Sequence, residues 1–362
     1  MTPLQSMSPG RIGRVRKILK ARGLDALLVT NMKNVRYLSG FTGSSGFLLV
    51  APKQTIFATD FRYHEQAAQE VGAAEIIMER GKRIVLIRTL IKKLDIRKLG
   101  FEFSVSYAVF DRLQSCGAVP VPLKDAVEKL RAVKDADETA TIQRAVVRAE
   151  DAYRAVRPWI RAGVREVEIA RRLDEALRKQ GCRHAAFEII VASGLNSSMP
   201  HARPTERKIA AGDLVIVDWG GEADGYYSDM TRTVLVPGEA DPKKREIYSI
   251  VNHAREKAIR AVKVGEKTQE IDAVARAHIR KAGYGDHFGH SLGHGIGLDV
   301  HEYPYVSWTR GERVRDGMLF TIEPGIYVPG LGGVRIEDVI LVRDGSVSIL
   351  TNLGREAEGG VE

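Results

Sequence analysis

The spacing of apolar positions changes several times along the chain. Ile12, Val15, Ile18 and Leu19 recur at helical intervals, and Gly23 follows where a left-handed C-terminal cap belongs, which predicts a helix over 11–22. Short apolar runs of strand length come next, at 26–30 (ALLVT), 46–51 (GFLLVA) and 54–59 (QTIFAT). IVLIRTLIKKL (84–94) returns to the helical period and KLGFEF (98–103) to a strand. This alternation predicts an α/β domain with a mixed sheet. The segment PVPLKDA (120–126), with two prolines, reads as a junction between domains.

From about Glu128 to Arg161 the pattern is strongly helical, and REVEIARRLDEALRKQG predicts a second helix ending at Gly181. Two more are expected over 243–262 and 269–283. The intervening segments FEIIVASG, DLVIVDWGG, YYSDMTRTVLV, LFTIEPGIYV and GVRIEDVILV read as antiparallel strands. The expected organisation is a domain over 1–127 and a larger α+β domain over 128–362, with helices covering one face of its sheet.

Two of the predicted hairpins carry acids inside otherwise apolar strands. In DLVIVDWGGEADGYYSDMTRTVLV, a turn centred midway between 223 and 224 sets Asp218 opposite Asp229. In LFTIEPGIYVPGLGGVRIEDVILV, a turn centred on Gly330 sets Glu323 opposite Glu337, while Asp338 has the wrong parity and faces away. Like charges directly across a sheet repel, and burying four carboxylates without a cation is costly. Hard oxygen donors in this number suit a cluster of divalent cations.

Histidines add to the pattern. The glycine-rich stretch FGHSLGHGIGLDVHE (288–302) holds His290, His294 and His301, and His201 lies in SSMPHARP. As a group they supply a metal ligand and groups that titrate near neutrality. His64, His184, His253, His278 and His287 read as ordinary structural or surface residues.

Composition narrows the setting. A length of 362 residues suits two domains. Two cysteines, Cys116 and Cys182, argue against a disulfide framework. The first residues lack the apolar core of a signal peptide, and no apolar stretch is long enough to span a bilayer. A cytoplasmic protein without a membrane partner is expected. The formal charge of +9 is uneven: residues 1–130 hold 21 Lys+Arg against 11 Asp+Glu, and the remainder 34 against 35. The basic excess is scattered and accompanies no nucleic-acid motif, so no nucleic-acid partner is expected.

On these residues the sequence closely resembles the proline-specific metallopeptidases of pita-bread fold, the Xaa-Pro aminopeptidases and Xaa-Pro dipeptidases (prolidases). VDWG, YYSDMTRT, SLGHGIGLDVHE, TIEPGIY and GVRIED match their metal motifs in chain order. NVRYLSGFTGSSG (34–46) and TDFRYHEQA (59–67) resemble their N-terminal, creatinase-like domain. The resemblance implies Asp218, Asp229, His294, Glu323 and Glu337 as ligands of two divalent ions, most often Mn²⁺, with Co²⁺ or Zn²⁺ as alternatives. Asp229 and Glu337 would bridge. It implies His201, His290, His301 and Arg335 around the substrate, with Glu323 also moving protons and His301 stabilising an oxyanion. A homodimer acting on short proline-containing peptides is implied too. The first expectation is an Xaa-Pro aminopeptidase, on the look of NVRYLSGFTGSSG. The alternatives are a prolidase and, from another class, a non-catalytic binding protein, which should have lost ligands.

Overall fold

The computed structural model describes residues 9–72 and 74–354. The chain divides into two compact units between Arg131 and Ala132. In the first, the strands are β1 (Ala26–Val29), β2 (Phe47–Val50), β3 (Thr55–Thr59), β4 (Glu75–Met78), β5 (Lys98–Glu102) and β6 (Val119–Leu123). They form one sheet in the order β4-β3-β2-β1-β5-β6. The β1–β2 and β2–β3 pairs are antiparallel and the others parallel, a mixed sheet as the pattern predicts. Its helices are α1 (Pro9–Arg22), α2 (Met32–Ser39), α3 (His64–Glu70), α4 (Arg83–Lys93), α5 (Tyr107–Gln114) and α6 (Glu128–Arg131).

The proline-bearing segment is not a junction. It is β6, paired with β5 through Leu99↔Pro120 and Phe101↔Pro122. Proline lacks a donor, so it is tolerated at the edge of a sheet, and β6 is an edge strand.

In the second unit, the helices are α7 (Ala136–Val156), α8 (Glu166–Lys179), α9 (Pro242–Ala261) and α10 (Thr268–Lys281). A reciprocal capping box between Asp135 and Glu138 starts α7. The strands are β7 (Ile190–Ser193), β8 (Leu214–Trp219), β9 (Glu222–Ala223), β10 (Tyr226–Tyr227), β11 (Met230–Leu235), β12 (Gly293–Gly295), β13 (Glu302–Ser307), β14 (Arg310–Gly311), β15 (Leu319–Ile322), β16 (Gly325–Val328), β17 (Gly332–Arg335), β18 (Asp338–Arg343) and β19 (Ser346–Ile349). They build antiparallel sheets β11-β8-β7 and β14-β13-β12-β15-β18-β19, with the small pairs β9–β10 and β16–β17. Ile247 and Val251 of α9 and Ile271 and Ile279 of α10 share a core with Phe320, Ile322 and Ile340. No helix among the described residues is long and apolar enough to cross a membrane.

The two acidic hairpins differ in how they meet expectation. In the second, Gly325 pairs with Arg335 and Ile322 with Asp338, so Glu323 and Glu337 face each other in the frame centred on Gly330. In the first, the turn is Asp224-Gly225, both at positive φ, and Asp218 pairs with Thr231. The expected Asp218–Asp229 register is therefore off by two residues. The physical reason is the two-residue Asp-Gly turn, whose positive φ at both positions moves the centre one residue along. A shift of two keeps parity, so Asp229 still faces the same side as Asp218, on the diagonal.

Candidate metal centre

Five side chains meet beside these hairpins. Asp218 lies near the end of β8, Asp229 just before β11 and His294 in the middle of β12. Glu323 follows β15 and Glu337 precedes β18. His294 sits between two glycines for steric reasons. A Cβ on Gly293 would lie 1.9 Å from the Thr321 carbonyl oxygen, and one on Gly295 2.0 Å from that of Tyr303. Only glycine lets the neighbouring backbones close on the histidine from both sides.

Three overlapping sets place one donor atom from each member within 4.8 Å of the others: Asp218, Asp229 and Glu337; His294, Glu323 and Glu337; and Asp229, His294 and His301. Glu337 belongs to the first two sets and Asp229 to the first and third. His294 Nε2 lies 3.2 Å from Glu323 Oε1 and 3.6 Å from Asp229 Oδ2. Its Nδ1 donates to the Gly295 carbonyl at 3.1 Å. In the neutral ring that bond leaves the Nε2 lone pair facing carboxylate oxygens, an arrangement a cation relieves.

Burial tightens the argument. Asp229 and Glu337 are 4% and 2% exposed. Asp218 Oδ1 and Glu337 Oε1 are buried without a hydrogen-bond partner. Burial, and then the neighbouring carboxylates, push Asp229 and Glu337 well above the usual carboxylate range, and burial raises Asp218. Burial acts on Glu323 in the same direction, but a His294 protonated at Nε2 and hydrogen-bonded to it outweighs burial and holds the carboxyl at about 2, a balance that applies only until a cation takes that proton's place. Carboxylates packed this densely, with orphaned oxygens and a correctly oriented imidazole, fit a pair of divalent cations.

A second layer orders the first. Arg335 donates to Asp218 Oδ2 at 2.7 Å, to the Tyr327 hydroxyl at 2.8 Å and to the Pro200 carbonyl at 3.2 Å. Tyr327 hydroxyl and His290 Nε2 are 2.9 Å apart, while His290 Nδ1 donates to the Ser291 carbonyl. The tyrosine therefore donates to a neutral His290, which desolvation keeps deprotonated. The Thr231 hydroxyl donates to Glu337 Oε2 at 2.8 Å, and that of Thr321 to Glu323 Oε1 at 3.2 Å. His301 packs edge-on against His294, with centroids 4.2 Å apart. Desolvation and then the neighbouring His294 depress it to about 4.

All the residues singled out in the sequence line, with Ile189, Ile190 and Pro200, one cavity of about 590 Å³. The structure adds Thr231, Thr321 and Tyr327 to the site. All three had a signal in their parity: each stands an even number of residues from an acid on the same strand run, Thr231 from Asp229 and Thr321 and Tyr327 from Glu323. Asp338 faces the opposite side, as parity requires, and there pairs with Arg232 and Arg255 in the protein interior.

Acids and a histidine brought together from two antiparallel sheets make this a candidate site for metal-assisted hydrolysis. The chain belongs to metallopeptidase family M24, whose model matches residues 140–344, and residues 11–133 match the creatinase/prolidase N-terminal domain. It is a metallo-exopeptidase of pita-bread fold. The Xaa-Pro dipeptidase of Pyrococcus furiosus is 35% identical over 96% of this chain and 99% of its own. Two solved structures are similar throughout. One is the Xaa-Pro dipeptidase from Bacillus anthracis (TM-score 0.93, 40% identity, 96% of this chain and 99% of that one). The other is the X-Pro aminopeptidase from Thermotoga maritima (TM-score 0.85, 36% identity, the same coverage).

Proposed function

We propose that this chain is an Xaa-Pro dipeptidase working with two divalent metal ions, Mn²⁺ first among them. The observation that carries the reading is the cluster of buried carboxylates with unpartnered oxygens around His294 Nε2. The dipeptidase half of it, which replaces our first expectation of an aminopeptidase, rests on the relatives, where dipeptidase and prolidase names prevail. The motif that had suggested an aminopeptidase, NVRYLSGFTGSSG, is used within the first unit. Val35, Tyr37, Leu38 and Phe41 are buried there, and Asn31 and Gly40 cap α2, so the first part of the motif serves packing.

In this reading Asp218, Asp229, His294, Glu323 and Glu337 would hold the ions. Bound there, such ions supply Lewis acidity and lower the pKa of a water. The chain's own groups do the rest. The substrate's free amine would lie beside this ligand cluster, which confines cleavage to the first peptide bond. Glu323, kept ionised, takes a proton from the attacking water and returns it to the proline nitrogen, which as a tertiary amide carries no proton of its own. His301, neutral at physiological pH, donates to the oxygen on which charge develops. His290 cannot share that task, because its Nδ1 proton is engaged by Ser291. It and the apolar side chains of Ile189, Ile190 and Pro200 shape the proline pocket. His201 stands exposed at its rim.

Rates of hydrolysis of Xaa-Pro and Xaa-Pro-Yaa by the Mn²⁺-loaded protein test the proposal. Higher kcat/KM on the dipeptide is expected. Preference for the tripeptide restores the aminopeptidase reading, and no hydrolysis of either favours a binding protein.

A further inference from the structure

The cavity floor is built of buried acids, with Asp229 and Glu337 nearly inaccessible. Two of its lining residues carry a guanidinium, Arg335 and Arg203. Arg335 is 3% exposed and committed to Asp218, Tyr327, Thr231 and the Pro200 carbonyl. Arg203 differs: its side chain is 81% exposed, and its Nε lies 3.2 Å from Glu188 Oε2, on a side chain itself 64% exposed. An ion pair this open to water is weak and readily exchanged for another carboxylate.

The loop that presents Arg203 is held in place. Arg335 grips the Pro200 carbonyl, the Ala202 amide donates to Met199 at 3.2 Å, and Ala202 is buried. Pro204 restricts the backbone of the residue before it to extended conformations. The guanidinium is thus offered from a stiff turn that Arg335 links directly to Asp218.

We propose that Arg203 is a specificity-determining residue that binds the free C-terminal carboxylate of a dipeptide, with Glu188 as the internal carboxylate it releases. The proposal rests on the dipeptidase reading above. An Xaa-Pro dipeptide is a zwitterion. Its carboxylate is attracted to the rim, where the planar fork of an arginine matches a carboxylate. A longer peptide has no charge at that position and gains nothing from Arg203.

Steady-state kinetics of the Mn²⁺-loaded wild type, Arg203→Ala and Glu188→Gln on an Xaa-Pro dipeptide and on its C-terminal amide test this. Arg203→Ala should raise KM for the free acid by on the order of tenfold, the loss of one charge-assisted contact at an open site, with kcat little changed. The same variant should leave KM for the amide unchanged. Glu188→Gln should lower KM for the acid alone. A change of equal size on acid and amide, or none, overturns the assignment. Failure of the dipeptidase reading shows separately, in a wild type that prefers the amide to the acid. Both side chains are exposed, so loss of folding does not confound the comparison.

Discussion

Asp229 and Glu337 hold their protons to a higher pH than ordinary carboxylic acids, because burial and neighbouring carboxylates disfavour the charged forms. A raised folded-state pKa contributes stability to the metal-free fold that is fully present below the unfolded value, about 4, and is lost as pH rises through the folded values. Cations compete with those protons. Metal affinity, and the gain in Tm on adding Mn²⁺, should therefore grow as pH rises from about 4 through the raised pKa values, with proton release on binding. Thermal unfolding with and without Mn²⁺ across this range checks it; a pH-independent gain speaks against these two acids as ligands. At this scale the acids were legible because a carboxylate inside VIVDWG or FTIEPG is out of place. Thr231, Thr321 and Tyr327 showed only their parity with those acids, since hydroxyl-bearing residues are ordinary in strands.

Elements decide how those residues meet. The register of β16–β17 and β15–β18 follows from a symmetric turn, and the sequence shows it. The register of β8–β11 depends on which two residues occupy the turn; the Asp224-Gly225 dipeptide is itself a hairpin-turn signal, and centring on it instead of between 223 and 224 gives the observed pairing. Both hairpins read as such because the strands are strongly apolar; β6 did not, because its prolines mimic a linker. The glycine-rich segment around His290 is fastened by α10. Arg276 pairs with Asp272 at 2.8 Å and donates to the carbonyls of Phe288 (2.8 Å) and His290 (3.0 Å), while Asp272 accepts from the Leu292 amide. Phe288 and Trp308 each stack on the guanidinium. Arg276→Met leaves a buried Asp272 uncompensated and should destabilise the protein by roughly 3–5 kcal/mol. Adding Asp272→Leu should recover part of that loss. Urea unfolding of the single and double variants measures it, and a double variant weaker than the single would mean that the clamp is not an isolated charge pair.

For the whole molecule, the sequence shows two parts and their classes, since the apolar period changes where the helical stretch after residue 128 begins. It does not show which end of the substrate the cavity leaves open, since exposed loop residues at the rim such as Arg203 and Glu188 carry no periodic pattern. The central claim is that two hairpins and β12 converge on a site for two cations. Elemental analysis of protein equilibrated with Mn²⁺ and freed of excess metal tests it most directly. The account predicts two ions per chain in the wild type and in His301→Ala, and fewer in Asp229→Ala. One ion or none in the wild type, or a full complement in Asp229→Ala, would contradict it.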